Sequence, residues 1–290
     1  MIEQLPDRRE IMQVIRLLEE TCVAALQTDH ALNSDAAKRR LNGELDYYRR
    51  LCLEQHSLRN VFRRYCVSLA NRRNVMNLVF GASNERAAVQ LAYASILCGY
   101  NPAKITRHYS GRSDKLLRRM IKARGLSRPQ AHRHLTNNRS QFRLYAKGVL
   151  AGAEYFGRYK NGRCFAKFVQ QWLSDPDITA MLPEYFQALD LPGFGAALAA
   201  DFLKELGVQE LGKPDIWVKR CLHAAGWTAA KPSAFAVQRL LWAIWRKAGS
   251  NYPPIIVDKL MYLVGSGKYA MVEPQYRCRS RFKEFTKAIY

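Results

Sequence analysis

The residues best placed to do chemistry lie between Leu191 and Arg220. Gly193 and Gly195 bracket Phe194 directly after Pro192, and one acid, Asp215, follows 20 residues after Gly195. Glycine lets backbone N–H groups at a tight turn come close to a ligand. A helix starting just beyond adds the positive end of its dipole, so the N–H groups around Gly193, Gly195 and Ala197 suit an anion such as phosphate. Leu198, Phe202, Leu203 and Leu206 recur at helical spacing, and Gly207 stands where a helix C-cap is expected. Pro214 restricts the loop ahead of Asp215, and an apolar run follows. A Gly-x-Gly pair alone also fits an ordinary loop before a core helix. The acid at its set distance makes the stretch more specific.

The elements around this stretch read as helices. Ile11, Val14, Ile15, Leu18, Cys22, Ala25 and Leu26 form one stripe over residues 8–27, with Asp7 as N-cap. The pattern continues helical over 35–69. Helix, short break and helix are expected over 75–99, the break running Gly81-Ala82-Ser83-Asn84-Glu85-Arg86 with Ser83 or Asn84 as cap. Further helical runs cover 142–172, punctuated at Gly157 and Asn161-Gly162, then 176–182, the stretch from Ser233, and Ile255 to Val264 closing at Gly265. Period-two alternation is nearly absent, so the fold is expected to be almost all α.

Charge narrows the partner. The 290 residues carry 46 Lys and Arg against 24 Asp and Glu, a net of +22. Such an excess points to a polyanion, nucleic acid first and an anionic membrane surface second. Residues 101–147 hold 13 Lys and Arg against one acid, Asp114. Interspersed Leu116, Leu117, Met120 and Ile121 mark that region as packed helix rather than tail. The seven cysteines include no Cys-x-x-Cys pair, which argues against a zinc site or a disulfide framework. No apolar leader and no run long enough for a membrane span is present, so a cytoplasmic chain without membrane contact is expected, nucleoid-associated if bacterial.

Leu-Pro-Gly-Phe-Gly followed by Asp-x-x-Val-x-Arg resembles the helix-hairpin-helix DNA glycosylases, with their Gly/Pro-rich hairpin and following aspartate (the endonuclease III-like, oxidised-guanine and alkylbase branches). The likeness covers about 30 residues. It implies an all-α fold of two helical subdomains flanking a DNA cleft. It divides the chain into a basic extension 1–74, a core 75–230 with the hairpin at about 186–206 and a catalytic loop at 208–220, and C-terminal helices 231–290.

The resemblance also assigns roles. Gly193, Gly195 and Ala197 would grip a DNA phosphate, with Lys219 and Arg220 nearby, and backbone carbonyls of Leu189, Leu191 and Phe194 would hold a Na+ or K+ ion. Asp215 would stabilise the sugar cation and activate water. Trp217 stands where relatives often carry His and would line the base pocket. Asn84, Ser83 or Asn138 would fill the gap left by a flipped base. Strand-cutting relatives place a nucleophilic lysine two residues after the second hairpin glycine; here that residue is Ala197, which implies a monofunctional enzyme, with Lys213 and Lys204 off that position. Only Cys278 lies near the C-terminal end, so no iron–sulfur cluster is expected, and no cofactor is required. The implied partner is double-stranded DNA with a modified base, bound by a monomer. A non-catalytic DNA-binding protein using the same hairpin is the competing reading, and an RNA-binding protein using 101–147 a third.

Overall fold

The computed structural model describes residues 6–71, 75–81 and 86–289. Among them the chain forms sixteen α-helices: α1 Arg8–His30, α2 Ser34–Arg49, α3 Leu58–Ala70, α4 Val75–Phe80, α5 Arg86–Ile96, α6 Pro102–Tyr109, α7 Ser113–Ala123, α8 Arg128–Thr136, α9 Gln141–Phe156, α10 Gly162–Gln170, α11 Pro176–Ala188, α12 Ala196–Glu205, α13 Ile216–Ala224, α14 Ala234–Ala248, α15 Pro254–Ser266 and α16 Phe282–Ile289. Strands β1 Lys268–Tyr269 and β2 Tyr276–Arg277 pair antiparallel as a short ribbon. The fold is all α, as the periodicity indicates. No helix of the described residues is long and apolar enough to cross a membrane.

Two compact units divide the chain. The first comprises Met1–Cys52, Trp172–Glu184 and Leu203–Tyr290; the second comprises Leu53–Gln171 and Tyr185–Phe202. This departs from a division at 1–74, 75–230 and 231–290. The first 52 residues are not an appendage, because the apolar stripe of α1 packs on α14, α15 and α16 at the far end of the chain.

In the first unit α15 is apolar nearly all round. Ile255, Ile256, Val257, Leu260, Met261, Leu263 and Val264 are all buried, as a helix surrounded by others must be. All seven stripe residues of α1 are buried too, and Asp7 caps it by accepting from the Glu10 N–H at 2.8 Å. Buried charges are paired: Arg40 and Lys259 both meet Glu44, at 2.8 and 3.1 Å, and Lys204 meets Asp258 at 2.8 Å.

The second unit centres on α9, against which α3, α4, α6, α7 and α8 pack. Its core is aromatic. Tyr65 lies 5.1 Å from Phe156 and 4.7 Å from Phe194, centroid to centroid, with Phe165, Phe186 and Phe202 completing the cluster.

Some boundaries differ from the periodic reading. The run 35–69 breaks between Arg49 and Leu58, where the chain passes from the first unit to the second and Ser57 caps a new helix. The run 142–172 breaks where Gly157 and Asn161-Gly162 punctuate it, and the Asn161 side chain caps α10 by accepting from Cys164 N–H. α11 does not stop at Leu182. It continues through Pro183 to Ala188, because Phe186 is fully buried and Tyr185 packs on Phe168. α15 runs to Ser266 with Gly267 as its cap, so Gly265 does not close it but lies inside the helix under the Trp217 ring.

Candidate functional site

The hairpin belongs to the second unit. Leu191 to Phe194 form a type II turn closed by the Phe194 N–H donating to the Leu191 carbonyl at 2.9 Å. Such a turn takes Pro at its second position and needs positive φ at its third; Pro192 and Gly193, at φ +82°, meet both demands. Two anchors fix it. Phe194 is buried in the aromatic cluster. The Pro192 carbonyl lies so close to α9 that a β-carbon on Gly148 would sit 2.4 Å from it.

α12 opens at Ala196, whose N–H donates to the Gln187 side chain at 3.1 Å. Among the described residues nothing accepts from the N–H groups of Gly193, Gly195 or Ala197, and all three residues are partly exposed. These are the donors that the spacing assigns to an anion. The carbonyls of Leu189 and Phe194 likewise accept no hydrogen bond among the described residues, and that of Leu191 accepts one. α12 closes as expected: Gly207, at φ +93°, donates to Lys204 O and Val208 to Leu203 O, the paired bonds of a Schellman cap. It contributes Ala196–Phe202 to the second unit and its last turn to the first.

A small pocket behind the turn is lined by Gln141, Tyr145, Pro192 and Gly193 with Leu69, Val75 and Leu144. The Tyr145 hydroxyl and Gln141 Oε1 are buried there without a hydrogen-bond partner among the described residues. The periodicity marks Tyr145 only as a core position.

Asp215 belongs to the first unit. It is the N-cap of α13, and one oxygen, Oδ1, accepts from both Trp217 N–H at 2.8 Å and Val218 N–H at 3.1 Å. Oδ2 accepts from no described residue. Burial pushes the carboxyl above the usual aspartate range, and the Asp258 charge adds to the push; the Val218 N–H, Lys213 and Lys204 pull the other way. The net shift is upward, which makes the carboxylate a stronger base than a solvated one.

Lys204 is buried with its Nζ 2.8 Å from Asp258 Oδ2 and over the Tyr48 ring. A buried, charge-paired ammonium is a poor nucleophile, so the geometry gives Lys204 a structural post. Trp217 packs over Gly265, lies 6.1 Å from Phe282, and carries the exposed Arg220 guanidinium 5.3 Å above its ring. Lys219 is partly exposed on the same helix. Asn138 is exposed in the α8–α9 loop of the second unit. Ser83 and Asn84 lie outside the described residues.

No group of three His, Cys, Asp or Glu side chains that could hold a metal ion occurs among the described residues. The charge is unevenly shared. The second unit carries 23 Lys and Arg against 6 Asp and Glu; the first carries 23 against 18. Positive charge is therefore concentrated on the unit that holds the hairpin. No protein-family model, curated protein or solved structure matches the chain.

Proposed function

We propose that the chain is a monofunctional DNA glycosylase. It flips a modified or damaged base out of duplex DNA and hydrolyses its N-glycosidic bond, leaving an abasic site. The observation that carries this reading is the division of labour on Asp215. Oδ1 is spent on the helix cap and fixes the carboxylate, while Oδ2 accepts from no described residue on an acid whose basicity burial has raised. Cleaving the bond builds positive charge on the sugar, which a fixed carboxylate stabilises while it takes a proton from the attacking water. The hairpin N–H groups of Gly193, Gly195 and Ala197 supply a backbone grip that is indifferent to base identity. Alanine at 197 supports attack by water rather than by an amine. The helix-hairpin-helix glycosylase fold is part of this reading, as is a role in base-excision repair or in defence against modified phage DNA.

One observation favours the second reading, a non-catalytic helix-hairpin-helix DNA-binding protein: capping α13 is by itself sufficient reason for an acid at 215. A panel of duplexes, each with one modified base, decides between them. The first reading expects alkali-labile sites with wild type and none with Asp215→Asn, at unchanged DNA affinity. Equal cleavage by both proteins removes Asp215 from the chemistry. A covalent adduct trapped by borohydride removes the monofunctional mechanism.

A further inference from the structure

Helices α7 and α8 are joined by four residues, Arg124-Gly125-Leu126-Ser127. Gly125, at φ +62°, donates to Lys122 O at 3.0 Å and Leu126 to Ile121 O at 3.5 Å, so α7 ends in a tight reversal. Ser127 and Gln130 form a capping box that starts α8 at once. Two helices joined by a short turn containing glycine match the connection of a helix-turn-helix unit.

The two helices present opposite surfaces. α7 buries Leu116, Leu117, Met120 and Ile121. α8 buries no residue fully, although it is firmly held. The His134 ring packs edge-on to Phe142 at 5.7 Å and its Nδ1 meets Ser140 Oγ at 2.9 Å, while Arg143 donates to the Leu135 carbonyl. Arg128, Gln130, His132, Arg133 and Thr136 all stand in solvent. A fixed helix that exposes this set is expensive to explain as packing.

Charge and shape select the occupant. Asp114, the one acid of residues 101–147, is paired with Arg143 at 2.8 Å. No unpaired carboxylate therefore stands in this region. A membrane-lying helix needs an apolar face turned outward, and α8 exposes none. A helix about 10–12 Å across fits the roughly 12 Å major groove of B-form DNA, whereas the major groove of A-form RNA is too narrow for side chains to read. Arginine forks match the acceptor pair of guanine, and amide, imidazole and hydroxyl groups match other base edges.

We infer that α8 enters the major groove of duplex DNA and reads base edges through Arg128, His132 and Arg133, with Arg118 and Lys122 of α7 on the flanking phosphates. The hairpin grips backbone alone; α8 gives the protein a sequence-context preference. The inference rests on the DNA-binding part of the proposed function and not on base excision.

The test uses the full chain and unmodified duplexes with a randomised core, selected and sequenced, followed by affinities at two salt concentrations. Wild type is expected to enrich a short motif. Arg133→Ala and Arg128→Ala are each expected to lose about 5- to 150-fold on that motif and to relax preference at one position. Lys122→Ala is expected to weaken all sequences alike and to lower the salt slope by about one. Absence of enrichment by wild type, equal weakening of all duplexes by the Arg128 and Arg133 variants, or tighter binding to single-stranded RNA would each overturn the inference. A protein that excises no base yet keeps an Arg133-dependent motif would retain it and lose the glycosylase reading. Excision without any motif would do the reverse.

Discussion

Gln238 and Gly212 form a closed pair. The Gly212 N–H donates to Gln238 Oε1 at 3.1 Å, and Gln238 Nε2 donates back to the Gly212 carbonyl. Gln238 is 0% exposed, so one fully buried amide on α14 satisfies both backbone groups of a residue three before Asp215. The loop has two further ties. Ile255 N–H donates to Gln209 O, and the Gln209 side chain donates to Tyr48 O.

Removing the amide leaves two buried backbone groups unpaired and a cavity beside them. Gln238→Ala is therefore expected to destabilise the chain by about 2–5 kcal/mol. Gln238→Glu keeps the size, loses the donor and introduces a buried charge, so it should be no better. Thermal melts of the three proteins check this. A Gln238→Ala variant that melts with wild type would show that the clasp carries no weight.

Gln238 shows where sequence reasoning stops. It stands within the apolar stripe of α14 with no local mark of its role, because its partner is 26 residues earlier. The features legible in the chain are those set by neighbours in sequence. The α1 stripe, the Asp7 cap, the Pro192-Gly193 turn and the Gly207 cap all depend on residues a few positions apart. The first unit could not be read in that way, since three separated segments build it. Nor could the extension of α11 through Pro183, which long-range burial of Phe186 enforces against local propensity. One signal was available and ambiguous: Asp258 and Lys259 interrupt the apolar run of α15, and their partners Lys204 and Glu44 lie far off in sequence.

Asp215 has a cost in stability that the proposed chemistry explains. Its folded-state carboxyl lies above the ordinary value of 3.8, so the folded chain holds that proton more tightly than the unfolded chain does. Stability from this group is present in acid and is lost as pH rises from about 3.8 through the raised value. Asparagine mimics the protonated acid and caps a helix as well as aspartate does. Asp215→Asn is thus expected to melt at or above wild type at pH 7, with the gap closing as pH falls toward 4. Asp215→Ala loses the cap and should cost about 1 kcal/mol. Melting curves across that range decide it; an Asn variant well below wild type at pH 7 would mean that the ionised carboxylate stabilises the fold.

At the alkaline end the sign reverses cause but not direction. Burial pushes the Cys22 thiol up to about 12, Cys278 to about 11 and the Tyr100 hydroxyl to about 12, and raises Tyr65, Tyr93, Tyr145 and Tyr269 as well. In the unfolded chain these groups release protons near their ordinary values of 9 and 10. Above pH 9 the unfolded state therefore binds fewer protons, and stability falls with pH. Lys259 works against this, because burial lowers it from 10.5 and the unfolded chain is the one that keeps its proton. One lysine, held up in part by Glu44, opposes several buried thiols and phenols, so the latter should win. The thermal midpoint is expected to decline steadily from pH 9 to 11, with tyrosinate absorbance rising in the same step as loss of helix. Complete ionisation of the tyrosines while the helices persist would show that these buried rings are open to solvent in the folded chain.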